Sequence, residues 1–214
     1  MLNRFAACGI FLCLLGLFFG PAAPALADDP RECVLLAGRA LDSADAAGFE
    51  RAVDMDSLLD QALDVLARTL QQPGAAQDLP PMLAILFAQA ARGDGAAAGA
   101  RALLRAEARA FVVNGIASGA FAGQKPTGRA AQGLLAPLFA DASTGRKEVR
   151  QVGAARPDGA GWQVPFVLRD WGNGQSYDLV GRVTMTEGQP RLTGLDNMED
   201  LVRRILAEGR DAAL

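Results

Sequence analysis

The chain has 214 residues, half of them hydrophobic, and its 21 basic and 24 acidic side chains give a formal net charge of −3. It contains no histidine, and this excludes Ser-His-Asp and Cys-His catalysis as well as ordinary zinc sites. An acidic chain is also a poor candidate for binding nucleic acid or an anionic membrane surface. We therefore expect no nucleic-acid partner, no metal site and no cofactor.

Residues 1–27 have the pattern of a cleavable export signal. A positive residue precedes the almost wholly apolar run Phe5–Phe19, and small residues at Ala25 and Ala27 suit a signal peptidase. An uncleaved membrane anchor is the alternative, but about fifteen apolar residues are few for a span of roughly twenty. Heavy use of alanine, arginine and glycine is typical of a GC-rich bacterial genome. We therefore expect a periplasmic protein that begins at residue 28 and has no membrane span.

Residues 28–142 carry the hydrophobic spacing of helices. Asp29 and Pro30 form a good helix start, and either Asp54 or Asp56 caps the second helix. The third predicted helix is apolar on most sides, so we expect it at the centre of the domain. The five predicted helices cover approximately residues 30–47, 54–72, 80–91, 96–113 and 129–140.

After Gly145 the hydrophobic period changes from that of a helix to that of a strand. The links between the predicted strands are short and rich in turn residues, which forces antiparallel pairing in a meander. Pro165 fits poorly in an interior strand, so we expect a bulge or an unpaired amide there. Asp196 then caps a last helix. The four predicted strands are Lys147–Ala155, Trp162–Arg169, Tyr177–Met185 and Arg191–Leu195.

These elements predict one α+β domain over residues 28–214, with a helical part at 28–142 and a β-meander plus terminal helix at 143–214. Four to five N-terminal helices pack on one face of a curved four-stranded antiparallel meander, and a C-terminal helix follows.

Two segments resemble a known architecture. Phe49-Glu-Arg-Ala-Val-Asp-Met-Asp-Ser-Leu-Leu resembles the bend between the first two helices of nuclear transport factor 2-like, cystatin-like proteins. Trp162-Gln-Val-Pro-Phe-Val-Leu resembles a core strand of their sheet. The periplasmic phospholipid carriers have a similar order of elements around a lipid pocket. The resemblance implies a curved sheet that faces helices, and it carries over no functional residue. The extra helices before the sheet depart from the usual plan.

The inward face of the predicted sheet supplies candidate ligand-binding residues. Gly181 interrupts this face, and a glycine within a strand either marks a bend or leaves room for close approach. We expect an apolar cavity between the face and the helices, with Gly115, Gly119 and Gly123 near its mouth and Asn114-Gly115 ending the fourth helix. The candidate ligand-binding residues are Trp162, Phe166, Tyr177, Gly181 and Phe111.

Two charge stripes repeat every four residues, one on the second predicted helix and one on the fourth. Their members are Asp56, Asp60 and Asp64 in the acidic stripe and Arg101, Arg105 and Arg109 in the basic stripe. The arginines form either an anion site for phosphate or lipid headgroups or a partner for the acidic stripe. If the two helices pack antiparallel, Asp60 lies near Arg105 and the outer members pair in reverse order.

The sequence shows no catalytic motif. Asp170 and Asp178 flank a predicted hairpin, which leaves a carboxylate-dependent hydrolase acting on a saccharide as one alternative. Cys33 is the only cysteine after residue 27, and we expect it to be buried. The leading hypothesis is a non-catalytic exported domain that binds a small apolar ligand, a lipid or an envelope protein. A purely structural envelope assembly partner is a further alternative.

Overall fold

The computed structural model describes residues 29–72, 74–75, 79–92, 95–127 and 145–211. The export signal predicted for residues 1–27 and the helix predicted for 129–140 lie outside the described residues. Within the described ranges the chain has the predicted α+β fold. The helices are α1 (Arg31–Asp42), α2 (Ala46–Ala52), α3 (Met55–Leu70), α4 (Pro81–Ala90), α5 (Gly95–Ala117) and α6 (Met198–Asp211). The strands are β1 (Lys147–Arg150), β2 (Arg156–Asp158), β3 (Gly161–Asp170), β4 (Ser176–Thr186) and β5 (Gln189–Leu195).

Helices α1 and α2 replace the single helix that the sequence predicts for residues 30–47. Ala44 has a φ of 57°, which separates the two helices. Asp45 then caps α2, because its carboxylate accepts a hydrogen bond from the amide of Gly48 at 2.8 Å. The prediction of one helix was wrong because an aspartate that can bond an amide three residues further on gives the chain a new helix start. Asp54, one of the two predicted candidates, caps α3.

Helix α5 continues past the stop predicted at Asn114-Gly115. A Cβ atom built on Gly115 would overlap with the ring of Phe121, so the missing side chain makes room for that ring. The chain turns instead at Gly119, whose φ is 78°, and a short 3-10 turn returns Phe121 to the helix. Its ring centre lies 6.1 Å from that of Phe111. The glycine-rich stretch is therefore a tightly packed helix end.

The strands form one antiparallel sheet in the order β1-β3-β4-β5, and β2 pairs with the same edge of β3 as β1 does. The first predicted strand thus ends at Arg150 instead of Ala155, and β2 is a fifth strand that lies beyond the predicted end. Pro165 of β3 lies opposite the break between β1 and β2, where its carbonyl accepts a hydrogen bond from the amide of Gly153 at 2.8 Å. Since the nitrogen of Pro165 has no hydrogen to donate, the break occurs where a regular ladder would lack a bond. The predicted irregularity is confirmed.

Residues of the helical part close the outer edge of β5. The amide of Asp54 donates to the carbonyl of Leu192 at 2.9 Å. The side-chain amide of Gln61 exchanges two hydrogen bonds with the backbone of Leu195, at 2.6 and 2.9 Å. Arg191 donates to two carbonyl groups at the end of α2. An open edge would present unpaired backbone groups to other chains. These contacts bind one amide and two carbonyl groups of β5 and fix the start of α3 against the sheet.

The inner face of the sheet packs against α1, α3 and α6 in the main core, which contains the fully buried Val164 and Val183. A second apolar cluster joins α3, α4 and α5, and Leu104 lies at its centre with no exposed surface. The outer face of the sheet is polar. One side of the sheet therefore faces helices and the other faces solvent, as is usual for an antiparallel sheet of this kind.

Candidate binding surface

The space beside Gly181, where the sequence predicts a ligand cavity, is filled by side chains. A Cβ atom built on Gly181 would lie 2.7 Å from Cδ1 of Leu192 and 3.2 Å from Cε1 of Phe166. At this position the glycine allows close packing within the core. The other predicted ligand-binding residues divide between two clusters: Trp162, Phe166 and Tyr177 belong to the main core, and Phe111 packs with Phe121.

The hydroxyl of Tyr177, one of the candidate ligand-binding residues, forms hydrogen bonds that hold α6. It donates to Oε2 of Glu208 at 2.6 Å and accepts from Nδ2 of Asn173 at 2.7 Å. The guanidinium of Arg204 lies 4.8 Å from the centre of its ring. Burial, followed by the carboxylate of Glu208, raises the pKa of Tyr177 to about 12. This network connects α6 to the hairpin between β3 and β4.

The two aspartates considered for saccharide hydrolysis lie on opposite faces of the sheet. Asp170 points inward, is 3% exposed and accepts a hydrogen bond from Nζ of Lys147 at 2.6 Å. Asp178 is exposed and alternates with the buried Tyr177 and Leu179. Glycoside hydrolysis needs two carboxyl groups that face each other across a substrate cleft, and this arrangement does not provide them.

The charge stripes on α3 and α5 pair in the order that the sequence predicts. The contacts are Arg101 with Asp64, Arg105 with Asp60, and Arg109 with Asp56 at 3.0 Å and Glu50 at 2.8 Å. Each arginine of the considered anion site therefore contacts a carboxylate, which favours the interpretation of mutual pairing. The side chains are one third to two thirds exposed, so each pair contributes little stability, about 0.2–1 kcal/mol.

Cys33 is buried, as predicted, with 1% of its surface exposed. Its thiol donates to the carbonyl of Pro30 at 3.2 Å, and burial raises the pKa of Cys33 to about 11. A nucleophilic cysteine reacts as the thiolate. Because the thiol stays protonated at neutral pH, Cys33 serves packing in the core.

Helix α4 presents apolar side chains to solvent. Its sequence Pro-Met-Leu-Ala-Ile-Leu-Phe-Ala-Gln-Ala contains no charged residue. Leu83 and Phe87 are buried against α3 and α5, whereas Met82 is 62% and Ile85 58% exposed. Leu103, on the neighbouring α5, is 46% exposed. A helix that is apolar on all sides belongs in the interior of a protein, so the outer side of α4 is unusual.

A small apolar cleft lies between α3 and α4. Its volume is about 160 Å³. Among the described residues of its lining, only Gln71 has a side chain with polar atoms. Two small residues of α4, Ala84 and Ala88, contribute to the lining. The described lining residues are Ala67, Leu70, Gln71, Leu79, Ala84, Phe87 and Ala88.

The sequence shows that α4 is apolar but does not show which neighbours cover it. We expected α4 at the centre of the domain, and that prediction was wrong, because α3 and α5 cover only one side of it. The exposed apolar side of α4 is identified by Met82 and Ile85. These residues are three positions apart and are exposed, whereas Leu83 and Phe87 are buried.

Among the described helices, none is long and apolar enough to cross a bilayer. The described residues also contain no group of three or more acidic or cysteine side chains arranged to hold a metal ion. No protein-family model, curated protein or solved structure matches this chain.

Proposed function

We propose that this chain is a non-catalytic, exported binding domain that takes up an apolar side chain of a protein partner in the cleft between α3 and α4. The exposure of Met82 and Ile85 on an uncharged helix is the observation that carries this proposal. Exposed apolar patches are typical of protein interaction sites. A partner that covered them would bury surface worth about 25 cal/mol per Å² before ordering costs.

The size of the cleft favours a single side chain over a small-molecule ligand or a lipid chain. Sites for drug-sized ligands usually measure about 300–1,000 Å³, well above the 160 Å³ found between α3 and α4. An engineered apolar cavity of about 150 Å³ accepts one benzene ring. The cleft therefore suits one aromatic or branched aliphatic side chain, and such anchors often dominate the energetics of protein interfaces.

A single amino acid derivative tests the cleft before any partner is known. N-acetylphenylalanine amide should shift the backbone amide signals of Ala84 and Ala88 in a heteronuclear NMR titration. Ala84→Leu should fill the cleft and abolish these shifts. Ala102→Leu, which changes an exposed alanine of α5, should leave them unchanged. Equal binding by wild type and Ala84→Leu would show that the cleft is not the site, and a long-chain fatty acid that bound instead would favour a lipid ligand.

The proposed export has its own test. The mature protein purified from cells should begin at residue 28, and N-terminal sequencing that started at Met1 would contradict the periplasmic location.

A further inference from the structure

Trp171 lies on the solvent-facing side of the sheet, directly after β3, with half of its surface exposed. Its indole N–H donates to Oε2 of Glu148 at 3.1 Å. The guanidinium carbons of Arg169 and Arg150 lie 5.0 and 5.8 Å from the ring centre. Since Glu148 and Arg150 belong to β1 and Arg169 belongs to β3, the indole lies across both strands. An exposed aromatic side chain is here held in place by three neighbours.

The backbone beneath the indole is fixed as well. The amide of Trp171 donates to the carbonyl of Arg146 at 2.9 Å. The following amide, of Gly172, donates to Oδ1 of Asp170 at 2.8 Å, and the same oxygen accepts from the buried Lys147. A group that is ordered before binding loses less conformational entropy when a ligand arrives. Trp171 is therefore a preorganised, partly exposed apolar platform.

Arg169 is the arginine beside Trp171 whose guanidinium can still bind an anion. It is half-buried and donates to Oγ of Ser176 at 3.1 Å. Within the described part of the chain its contacts are this hydroxyl and the indole of Trp171, with no carboxylate among them. A guanidinium has five N–H donors in a fork that matches a carboxylate. An anion can therefore bind Arg169 without displacing an existing ion pair.

Three arginines and three carboxylates surround the platform. Arg146 contacts Asp42 at 2.9 Å and Glu148 at 3.6 Å, and Arg150 contacts Glu148 at 3.0 Å. Asp178 is exposed on the same face of the sheet, opposite Val167. Because these charges balance, the selection of an anionic ligand depends on the guanidinium of Arg169 itself.

From these contacts we infer that Trp171 and Arg169 form a binding site for an acidic sugar, a saccharide ring that carries a carboxylate. The apolar C–H face of the ring covers the exposed indole, which buries apolar surface on both partners. The carboxylate accepts hydrogen bonds from the guanidinium of Arg169, and the ring hydroxyl groups stay in water. The site lies on the sheet rather than on the α3–α4 cleft, and it is independent of the proposed function.

The chain's two tryptophans allow a direct test with an internal control. Trp162 points into the core from the opposite face of the sheet. In an NMR titration of the full domain, glucuronate should shift the indole N–H signal of Trp171 and leave that of Trp162 in place. Glucose, the neutral counterpart, should bind at least about tenfold more weakly. Arg169→Gln should weaken glucuronate binding by a similar factor, and Arg156→Gln, an exposed arginine of β2, should not.

Three results would overturn the inference. Equal shifts with glucose and glucuronate would show that the carboxylate is not recognised. Binding of benzoate without binding of glucuronate would assign the platform to aromatic acids instead of sugars. An unshifted Trp171 signal up to about 0.1 M glucuronate, where even a weak site fills, would limit the indole to a structural role. Spectra of both arginine variants that overlay with wild type elsewhere would confirm that they fold.

Discussion

The fit of Phe121 against α5 can be tested with two glycines of that helix. A Cβ atom built on Gly115 overlaps with Cζ and Cε2 of Phe121 and lies 2.9 Å from Cδ2, whereas no described heavy atom lies within 4 Å of one built on Gly99. Glycine to alanine gains about 1 kcal/mol in helix propensity. Forcing a methyl group into a packed core costs roughly 1–3 kcal/mol, and more where atoms overlap. We expect Gly99→Ala to stabilise the fold by about 0.5–1 kcal/mol and Gly115→Ala to destabilise it by about 1–2 kcal/mol.

Urea unfolding followed by circular dichroism measures both changes, and an unchanged m-value would show that the unfolded state is the same in each variant. Because the penalty at Gly115 requires the ring, it should disappear in a Phe121→Ala background, with a coupling energy of at least about 1 kcal/mol between the two positions. The packing account fails if Gly115→Ala is as stable as wild type, or if its penalty persists without the ring.

Three further predictions concern polar contacts. Lys147→Met leaves Asp170 buried without its cation and should lower the free energy of unfolding by about 3–5 kcal/mol in urea, whereas adding Asp170→Leu should restore most of the loss. Tyr177 is the only tyrosine, and since burial raises the pKa of Tyr177 to about 12, ultraviolet titration should show the native phenol ionising well above the unfolded value near pH 10. The protonated phenol of Tyr177 contributes fully to the free energy of unfolding below pH 10, and this contribution is lost as the pH rises through 12. Arg105→Gln should cost less than about 1 kcal/mol, a loss that shrinks in high salt, and Arg203→Gln on the exposed face of α6 should cost less still. Each prediction has a result that would contradict it. Lys147→Met would lower the free energy of unfolding by less than about 1 kcal/mol, the phenol of native Tyr177 would ionise near pH 10, or Arg105→Gln would lower the free energy of unfolding by more than about 2 kcal/mol.

The features that the sequence predicts correctly depend on short, repeated spacing. The alternation of apolar residues along β3 and β4 determines which side chains face the core, and the turn residues between them leave only antiparallel pairing. The contact between Asp60 and Arg105 follows from two stripes of equal period on neighbouring helices. In these cases the local pattern and the tertiary structure agree.

The features that it misses depend on which side chains occupy the space beside an element. Asn114-Gly115 is a normal signal for a helix end, but here Phe121 occupies the space beside Gly115 and the helix continues. The exposure of Ile85 depends on which helices surround α4. The platform at Trp171 depends on the register that places Glu148 beside Arg169. Hydrophobic period gives the face of each element but not the neighbour that covers it.

The closure of the β5 edge has a consequence for the order of events in folding. The hydrogen bonds between Gln61 and Leu195 join residues 134 positions apart. The inner faces of α1 and α3 are complete early in synthesis, yet the strands that cover them come from the last third of the chain. Contacts between residues so far apart form late, because a long loop must close before they are made. The faces of α1 and α3 that the sheet covers therefore stay exposed until the strands have been synthesised, whereas the cluster between α3, α4 and α5 needs only residues of the helical part.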